Sequence, residues 1–401
     1  MKLVVILLYL YLAVFPLGQL TKISLDSQEI NIHLGDIIVG VLVSVWLITK
    51  LLRREKFRLP SLTNQILLFF LFAVLSLILN TSVFASNFRE GPLLSGREMV
   101  VSWLYLLRWI AFAALYFVVY DLKLDIKNWL IRAGLIAAVL GLLQYFFIPD
   151  TRFIEALGWD PHYYRLIGTF LDPGFIGAIL VLTIILLTAE IWRGGKKSLL
   201  EISLWVICYI ALALTYSRAS YLAYLASMGM FGWFKKSPKF FAGVLIAGVI
   251  TIFLLPRPGG EGVKLEREST IQFRLINWRQ SINIATDHLI FGVGFNAYRY
   301  SQNDYGYLDF ANWRASHAGG GADSSLLFVL ATTGLFGLLA YLWLWAKTGV
   351  SAWKKGNLVI MASVTSLIVH SFFSNSLFYP WIMGWFWLLL GQNEAKGEKL
   401  P

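Results

Sequence analysis

Arginine is the main basic residue in one set of the connections that join the apolar segments of this chain. This set holds eleven arginines and two lysines: Arg89, Arg97, Arg152, Arg165, Arg218, Arg257, Arg267, Arg274, Arg279, Arg299, Arg314, Lys22 and Lys264. A planar guanidinium can form two parallel hydrogen bonds to one phosphate, which a lysine ammonium cannot. The pattern predicts a face that holds an anionic, phosphorylated ligand, with drift in loop composition as the alternative.

Arginines near the ends of apolar segments are the candidate ligands of this anion. Arg218 follows the short turn Thr215-Tyr216-Ser217 and Arg165 precedes the sixth apolar segment, so both are expected at the membrane surface. Arg108 lies inside the fourth segment, where an arginine costs a few kcal/mol unless it lines a cavity or meets a partner. We predict that Arg108, Arg165 and Arg279 bind the phosphorylated part of the ligand.

Two residues near the start of the tenth apolar segment are candidate general bases. His317 has an ordinary pKa close to neutrality and lies in a loop, so it is suited to accept a proton, although most such histidines are plain surface residues. Asp323 is the second candidate. Either Asp323 or Ser324 also occupies the position expected for a helix N-cap, which is the structural alternative for this residue.

Aromatic residues interleaved with charged ones precede this segment. Rings beside hydrogen-bonding groups suit sugars, whose C–H faces stack on them while their hydroxyls need polar partners. Tyr298, Tyr305 and Trp313 are the predicted sugar-binding residues. Anchoring of the rings at the membrane interface is the competing explanation.

The elements that position these residues are membrane helices. The chain has 401 residues, of which 58% are hydrophobic and 14% charged, and its mean hydropathy is +0.66. This composition excludes a soluble enzyme, a disordered chain, a collagen and a disulfide scaffold, because so few polar residues cannot cover a water-facing surface. Apolar runs predict twelve spans, near residues 3–20, 34–52, 62–80, 100–120, 128–148, 174–192, 199–215, 219–234, 240–256, 323–346, 358–373 and 376–391. The first run lacks a clear cleavage site, so we expect a span there and not a signal peptide.

The distribution of the net charge of +11 predicts the orientation of the spans. The connections that alternate with the arginine-rich ones hold 15 lysines and four arginines, so they and both termini are expected in the cytoplasm. The arginine-rich connections then face outward, and the excess charge does not indicate a nucleic-acid partner. We divide the chain into helices 1–9 (1–256), an outer loop (257–322) and helices 10–12 with a cytoplasmic tail (323–401).

The outer loop contains a predicted amphipathic helix. Leu275, Trp278, Ile282, Ala285 and Leu289 recur at helical spacing, which is typical of a helix lying on the membrane surface. The sequence contains no Walker A loop and no metal-ligand motif, so we expect neither a cofactor nor a metal.

Taken together, these features resemble the O-antigen ligase and O-antigen polymerase superfamily of bacterial surface polysaccharide assembly. The resemblance extends over most of the chain through the order of short motifs: Gly141–Phe146, Arg165–Pro173, Thr215–Arg218, Arg274 with Trp278, Phe291–Phe295 and Asp323–Gly337. The twelve spans and the single large outer loop before span ten fit the same family.

The resemblance implies a metal-independent, inverting glycosyl transfer in the bacterial inner membrane. The donor is a glycan on undecaprenyl pyrophosphate, and the acceptor is a hydroxyl of another glycan or of the lipid A core. A chain-length regulator or other assembly proteins are expected as partners. By the same resemblance, Arg218 and Arg274 are catalytic.

The matched base position departs from the ligases in the family. Many ligases carry a His-Asn pair eleven residues before the first glycine of G-x-x-G, where this chain has Asp323-Ser324. Asp323 takes the base role, or His317 does, or no strong base is needed. The departure argues against a lipid A core ligase in particular.

Other function classes stay open on the sequence alone. A flippase or transporter of a lipid-linked or anionic substrate is the main alternative, but it predicts inverted repeats and broken helices that the sequence does not show. A non-enzymatic scaffold fits poorly with the deep Arg108. The sequence does not separate polymerase from ligase.

Overall fold

The chain folds almost entirely into α-helices. The computed structural model describes residues 1–25, 30–81, 94–193, 199–308, 313–314 and 321–397, and these residues contain fourteen α-helices and one two-stranded hairpin. In chain order, the helices are α1 (Lys2–Val14), α2 (Leu34–Leu52), α3 (Thr63–Leu79), α4 (Gly96–Leu122), α5 (Lys127–Phe147), α6 (Pro173–Arg193), α7 (Leu199–Ala213), α8 (Arg218–Phe234), α9 (Pro238–Leu254), α10 (Ser269–Asp287), α11 (Tyr298–Asp304), α12 (Ser325–Lys354), α13 (Leu358–Ser371) and α14 (Pro380–Gly397).

Every predicted span coincides with a helix. Within the described residues, six helical segments are long and apolar enough to cross a membrane, namely Lys2–Thr21, α2, α4, α5, α6 and α12. Four more apolar helices of 10–17 residues are α3, α7, α9 and α13. These lengths and compositions support the all-α membrane architecture, whereas the count of twelve crossings and their orientation stay predictions.

The hydrophobic core lies along α6 and α14. Most of α6 from Ile176 to Thr188 is buried, as is α14 from Trp381 to Leu390. By contrast, α9 lies at the periphery, where Phe253 and Leu254 leave 82% and 77% of their surface exposed. Such an apolar exterior suits contact with lipid and not with water.

A short hairpin joins the first two membrane helices. Strands β1 (Lys22–Leu25) and β2 (Ile30–His33) pair antiparallel, with Lys22 opposite His33. His33 then caps α2, because its backbone N–H donates to the Asp36 carboxylate at 2.9 Å. The hairpin thus returns the chain directly from the end of α1 to the start of α2.

Helix α12 is kinked where the sequence contains Gly334. This glycine has φ +69° and ψ −169°, a conformation that side chains with a Cβ rarely adopt. The kink leaves helix carbonyls without helical partners, and the Val293 and Gly294 N–H groups donate to Ala331 and Thr332 there. The backbone of the outer loop therefore packs closely against this glycine.

The outer loop contains the predicted amphipathic helix as α10. The side that faces the protein is mixed: Ile284 and Ala285 are buried there, and Asn277 accepts a hydrogen bond from the Asp323 N–H at 2.8 Å. Its apolar row, Ile271, Leu275 and Ile282, is about half exposed. An outward apolar row fits the predicted position at the membrane surface.

Candidate active site

Four arginines converge at the outer ends of the helices. Arg165 comes from the α5–α6 connection, Arg218 begins α8, Arg267 precedes α10, and Arg274 lies in its second turn. None of the four forms an ion pair within 4.0 Å with a carboxylate of the described residues. We call these four residues the arginine cluster.

Burial and mutual repulsion lower the pKa of members of the arginine cluster. Burial lowers the pKa of Arg165, and the charge of Arg267 lowers it further. Burial also lowers the pKa of Arg267, with Arg218 and Arg274 adding to the effect. A set of like charges held together in this way favours a bound anion, because the anion relieves the repulsion.

Backbone carbonyls hold part of the cluster in place. Arg165 donates to the Thr215 carbonyl at 3.1 Å, and Arg165 and Arg267 both donate to the Tyr216 carbonyl at 3.4 Å. Tyr216 has φ +50°, so the turn before Arg218 is in the left-handed region. The two arginines therefore stabilise the turn that positions Arg218.

Arg218 keeps an unused donor. Its Nη1 donates to the carbonyls of Leu265 and Arg267 at 3.2 and 3.1 Å. Its Nη2 is buried and has no hydrogen-bond partner among the described residues. A buried unsatisfied donor is costly, so this atom is suited to receive an acceptor from a ligand.

Asp323 lies beside Arg274 and is free of a capping role. Ser324 is the N-cap of α12, because its Oγ accepts from the Leu327 N–H at 3.5 Å. The backbone of Asp323 is held by α10, through Asn277 and through the Trp278 Nε1–H, which donates to the Asp323 carbonyl at 3.3 Å. Of the two residues expected to cap the helix, Ser324 is therefore the N-cap and Asp323 is not.

The environment of Asp323 makes it a better base than an ordinary aspartate. Burial raises the pKa of its carboxyl, Arg274 opposes this rise, and the charges of Asp160 and Asp172 add to it. A carboxylate with a raised pKa accepts a proton more readily near neutral pH.

Asp323 lines a cavity of about 350 Å³. Polar and aromatic groups from both halves of the chain line the same space, among them Gln19, His33, Arg108, Trp159, Asp172, Phe175, Arg299, Tyr300, Asn375 and Tyr379. Mixed polar and aromatic walls of this kind are typical of sites for small polar ligands.

Arg108 lines this cavity and is balanced by a carboxylate next to it. Its Nη2 contacts Asp36 at 2.8 Å and donates to the Asn31 carbonyl, while its guanidinium lies 4.7 Å from the Tyr105 ring centre. The cost expected for an arginine at this depth is offset in both predicted ways, by a partner and by a cavity. Its contact with the phosphorylated ligand stays a prediction.

The other predicted site residues lie in different surroundings. Arg279 is on the exposed side of α10, and its role stays a prediction. Trp313 packs edge-on to the cavity residue Tyr300, with ring centres 6.3 Å apart. Tyr305 donates to the Asp287 carboxylate at 2.7 Å outside the cavity. His317 lies outside the described residues.

Tyr298 is packed among hydrophobic residues of the outer loop and α12. It is fully buried, and its hydroxyl lies 2.5 Å from the Ser281 Oγ. In this position the ring packs against Ile284, Phe328 and their neighbours, and the assignment of Tyr298 to sugar binding stays a prediction.

Two residues of this region were missed as individual candidates. Arg267 appeared only as one of many outward arginines, since its acidic neighbours Glu266 and Glu268 make it resemble a solvated charge. Asp172 was visible only as part of the motif Arg165–Pro173. Its carboxylate accepts the Phe175 N–H at 2.8 Å, and it lines the cavity beside Asp323.

The family model of the O-antigen ligases matches residues 202–342, which include Arg218, Arg267, Arg274 and Asp323. No curated protein matches the chain. The match runs from α7 into α12, which is less than half of the chain, and shows that this part of the chain is similar to the O-antigen ligases.

Proposed function

We propose that the protein transfers a glycan from undecaprenyl pyrophosphate to a sugar hydroxyl, with inversion and without a metal, on the outer face of the membrane. The observation that carries this proposal is the buried, unpartnered Nη2 of Arg218 within the arginine cluster. Asp323 beside the cluster supplies the base. The lysine-rich connections support the outward orientation of this face.

The arginine cluster stabilises the leaving group. As the bond between the sugar C1 and the pyrophosphate oxygen breaks, its electron pair stays on that oxygen and negative charge grows there. Arg218 is held by the carbonyls of Leu265 and Arg267, so it stabilises this charge without reorganisation. The Arg274 guanidinium lies 5.8 Å from the Phe373 ring centre and adds a second positive charge. Arg165 and Arg267 act through the Tyr216 turn as positioning residues.

Asp323 activates the acceptor. Its carboxylate takes the proton of the acceptor hydroxyl while the hydroxyl oxygen attacks C1 from the face opposite the pyrophosphate, which inverts the configuration at C1. His317 is the alternative base.

Loss of either catalytic arginine tests the proposal. We expect no surface polymer when Arg218→Ala or Arg274→Ala is expressed in a strain from which the natural gene is deleted. Removal of one such donor lowers the rate by about 10²–10³. Arg152→Ala is the matched control, because Arg152 is an exposed arginine paired with Asp150 at 2.6 Å. Full polymer from Arg218→Ala and Arg274→Ala at normal protein level contradicts the proposal.

The deletion strain itself distinguishes polymerase from ligase. Surface glycan that stops at one repeat unit indicates a polymerase, and accumulation of lipid-linked polymer indicates a ligase. Retention of both surface polymer and chain length contradicts both activities. The transporter alternative predicts instead that lipid-linked glycan accumulates on the cytoplasmic side.

A further inference from the structure

One wall of the cavity is lined by polar side chains and comes from outside the region matched by the family. Gln19 and His33 are 7% and 5% exposed, and both line the cavity together with Asn375. We call Gln19, His33 and Asn375 the amide wall. It lies in the same cavity as Asp323 but contains none of the arginine cluster.

Hydrogen bonds hold two members of the amide wall, Gln19 and His33, in place. The His33 ring lies 3.1 Å from the Asp36 carboxylate and 2.9 Å from the Gln19 Oε1. The Gln19 Nε2 donates to the Tyr379 hydroxyl at 3.2 Å. Since a glutamine amide has two donors and two acceptor positions, one donor and one acceptor of Gln19 stay available for a ligand.

Asn375 provides an acceptor that the protein leaves unused. Its Oδ1 is buried without a hydrogen-bond partner among the described residues. A buried acceptor in a polar cavity is satisfied when a ligand hydroxyl donates to it. Gln19 and Asn375 therefore offer, within the same cavity, donors and acceptors of the kind that sugar hydroxyls require.

An aromatic surface completes this side of the cavity. The rings of Phe175 and Tyr379 are stacked, with centres 3.8 Å apart and planes 6° apart, and both residues line the cavity. The pair adds apolar surface beside the polar groups of the cavity, a combination that suits a sugar with both C–H groups and hydroxyls.

The charges around the amide wall disfavour an acidic sugar. Arg108 lines the cavity and is paired with Asp36 at 2.8 Å. Among the charged side chains that line the cavity, the carboxylates of Asp160, Asp172 and Asp323 outnumber the guanidiniums of Arg108 and Arg299, so they repel another carboxylate.

We propose that the amide wall is a specificity subsite for an uncharged sugar ring of the donor or the acceptor glycan. This inference rests on the proposed glycosyl transfer, since it assigns the substrate class of the same cavity. Gln19 and Asn375 bind the ring hydroxyls, and His33 positions Gln19.

Binding of simple glycosides to the full-length protein in nanodiscs tests the subsite. In saturation-transfer NMR, methyl α-D-glucopyranoside should bind and methyl α-D-glucuronide should not. Asn375→Ala and the near-isosteric Gln19→Met should each weaken the neutral glycoside about threefold to tenfold, as loss of one uncharged hydrogen bond does. Asn283→Ala is the control, because this asparagine bonds Tyr307 on the loop surface.

Two results overturn the subsite. One is equal binding of the glucuronide, and the other is wild-type affinity for the neutral glycoside in both wall variants. Inorganic pyrophosphate separates the subsite from the proposed function: it should bind wild type and Asn375→Ala equally and lose affinity in Arg218→Ala. If pyrophosphate fails to bind wild type while the glycoside binds, the lipid-pyrophosphate donor is wrong and the sugar subsite stands.

Steady-state kinetics with lipid-linked glycan from the deletion strain show whether the sugar ring at the amide wall belongs to the donor or to the acceptor. Asn375→Ala should raise KM and leave kcat nearly unchanged. A higher KM for the acceptor alone places the acceptor ring at the wall, and a higher KM for the donor alone places the donor ring there. Unchanged KM values for both substrates contradict the proposal.

Discussion

At the scale of single residues, the number and geometry of donors explain why arginine occurs where a ligand phosphate is proposed. Arg218 uses one nitrogen for two carbonyls and keeps another without a partner. A lysine has one charged nitrogen and could not hold the loop and a ligand with separate, fixed donors. The same fork lets Arg165 bind two successive carbonyls of the turn before Arg218.

The pH dependence of the transfer should report Asp323. Because its pKa is raised, the carboxyl is protonated and inactive below that pKa, so the rate falls with falling pH at a higher pH than for an ordinary aspartate of about 3.9. We expect Asp323→Asn to lose about 10²–10⁴ in rate together with this acidic limb, and Asp323→Glu to keep the limb. An unchanged pH–rate profile in Asp323→Asn would assign the base to another group, with His317 next to test.

At the scale of elements, two tertiary contacts position the outer loop and the cavity wall. The kink of α12 at Gly334 leaves carbonyls that the Val293 and Gly294 N–H groups satisfy, so the loop is joined to the membrane helix by backbone hydrogen bonds. The ion pair of Arg108 with Asp36 joins α4 to α2 and holds the hairpin between them.

The kink predicts that replacing Gly334 with alanine lowers the stability of the protein considerably. A Cβ at Gly334 would meet the backbone of Ile290 and Phe291 and would force a side chain into positive φ. We expect Gly334→Ala to lower stability by about 1–3 kcal/mol, measured as the thermal midpoint in detergent. Gly40→Ala is the control, because nothing lies within 4 Å of a Cβ there. An equal midpoint for both variants contradicts the proposed strain.

The ion pair predicts that the stability losses of its two single variants do not add in the double variant. Arg108→Ala leaves the Asp36 carboxylate, whose side chain is 11% exposed, without its cation, and should cost about 3–5 kcal/mol. Asp36→Ala is expected to be similarly damaging, and the double variant should recover part of the thermal stability of the singles. Simple addition of the two losses would show that the residues do not act as a pair.

At the scale of the whole molecule, the positive charges separate by residue type. Lysines dominate the predicted inner connections and arginines the predicted outer ones, where the cluster lies. Topology requires only positive charge, whereas bidentate recognition of phosphate requires arginine. The separation thus follows from two physical requirements acting on opposite faces of one membrane.

Cysteine labelling tests this orientation directly. The single natural cysteine, Cys208, is buried, so the wild-type chain gives little background. A membrane-impermeant maleimide should label Gly259→Cys from the outer side and Lys236→Cys only after permeabilisation, since both positions are exposed. Labelling of Lys236→Cys in intact cells would reverse the predicted topology.

Local pattern accounts for the parts of the molecule that were predicted correctly. Long apolar runs lead to helices because a backbone in lipid must satisfy its own hydrogen bonds, and every predicted span, like α10, is helical. The resemblance and the charge pattern also predicted Arg218, Arg274 and Asp323 as site residues. In the structure, the charge of Arg274 interacts with those of Arg218 and Asp323. The burial of Tyr298 could not be predicted, because an aromatic residue has the same appearance in a sequence whether it is packed or exposed.

The sequence by itself determined the membrane class, the helical segments and the unequal distribution of arginine and lysine, because each depends on composition or on neighbours within a few turns. Only the tertiary structure decided which arginines support a turn, which one keeps a free donor, and which amides share a cavity with Asp323. Those outcomes depend on contacts between distant segments, such as the hydrogen bond of Gln19 to Tyr379 across 360 residues. No periodicity encodes such a contact, because the packing of whole helices creates it.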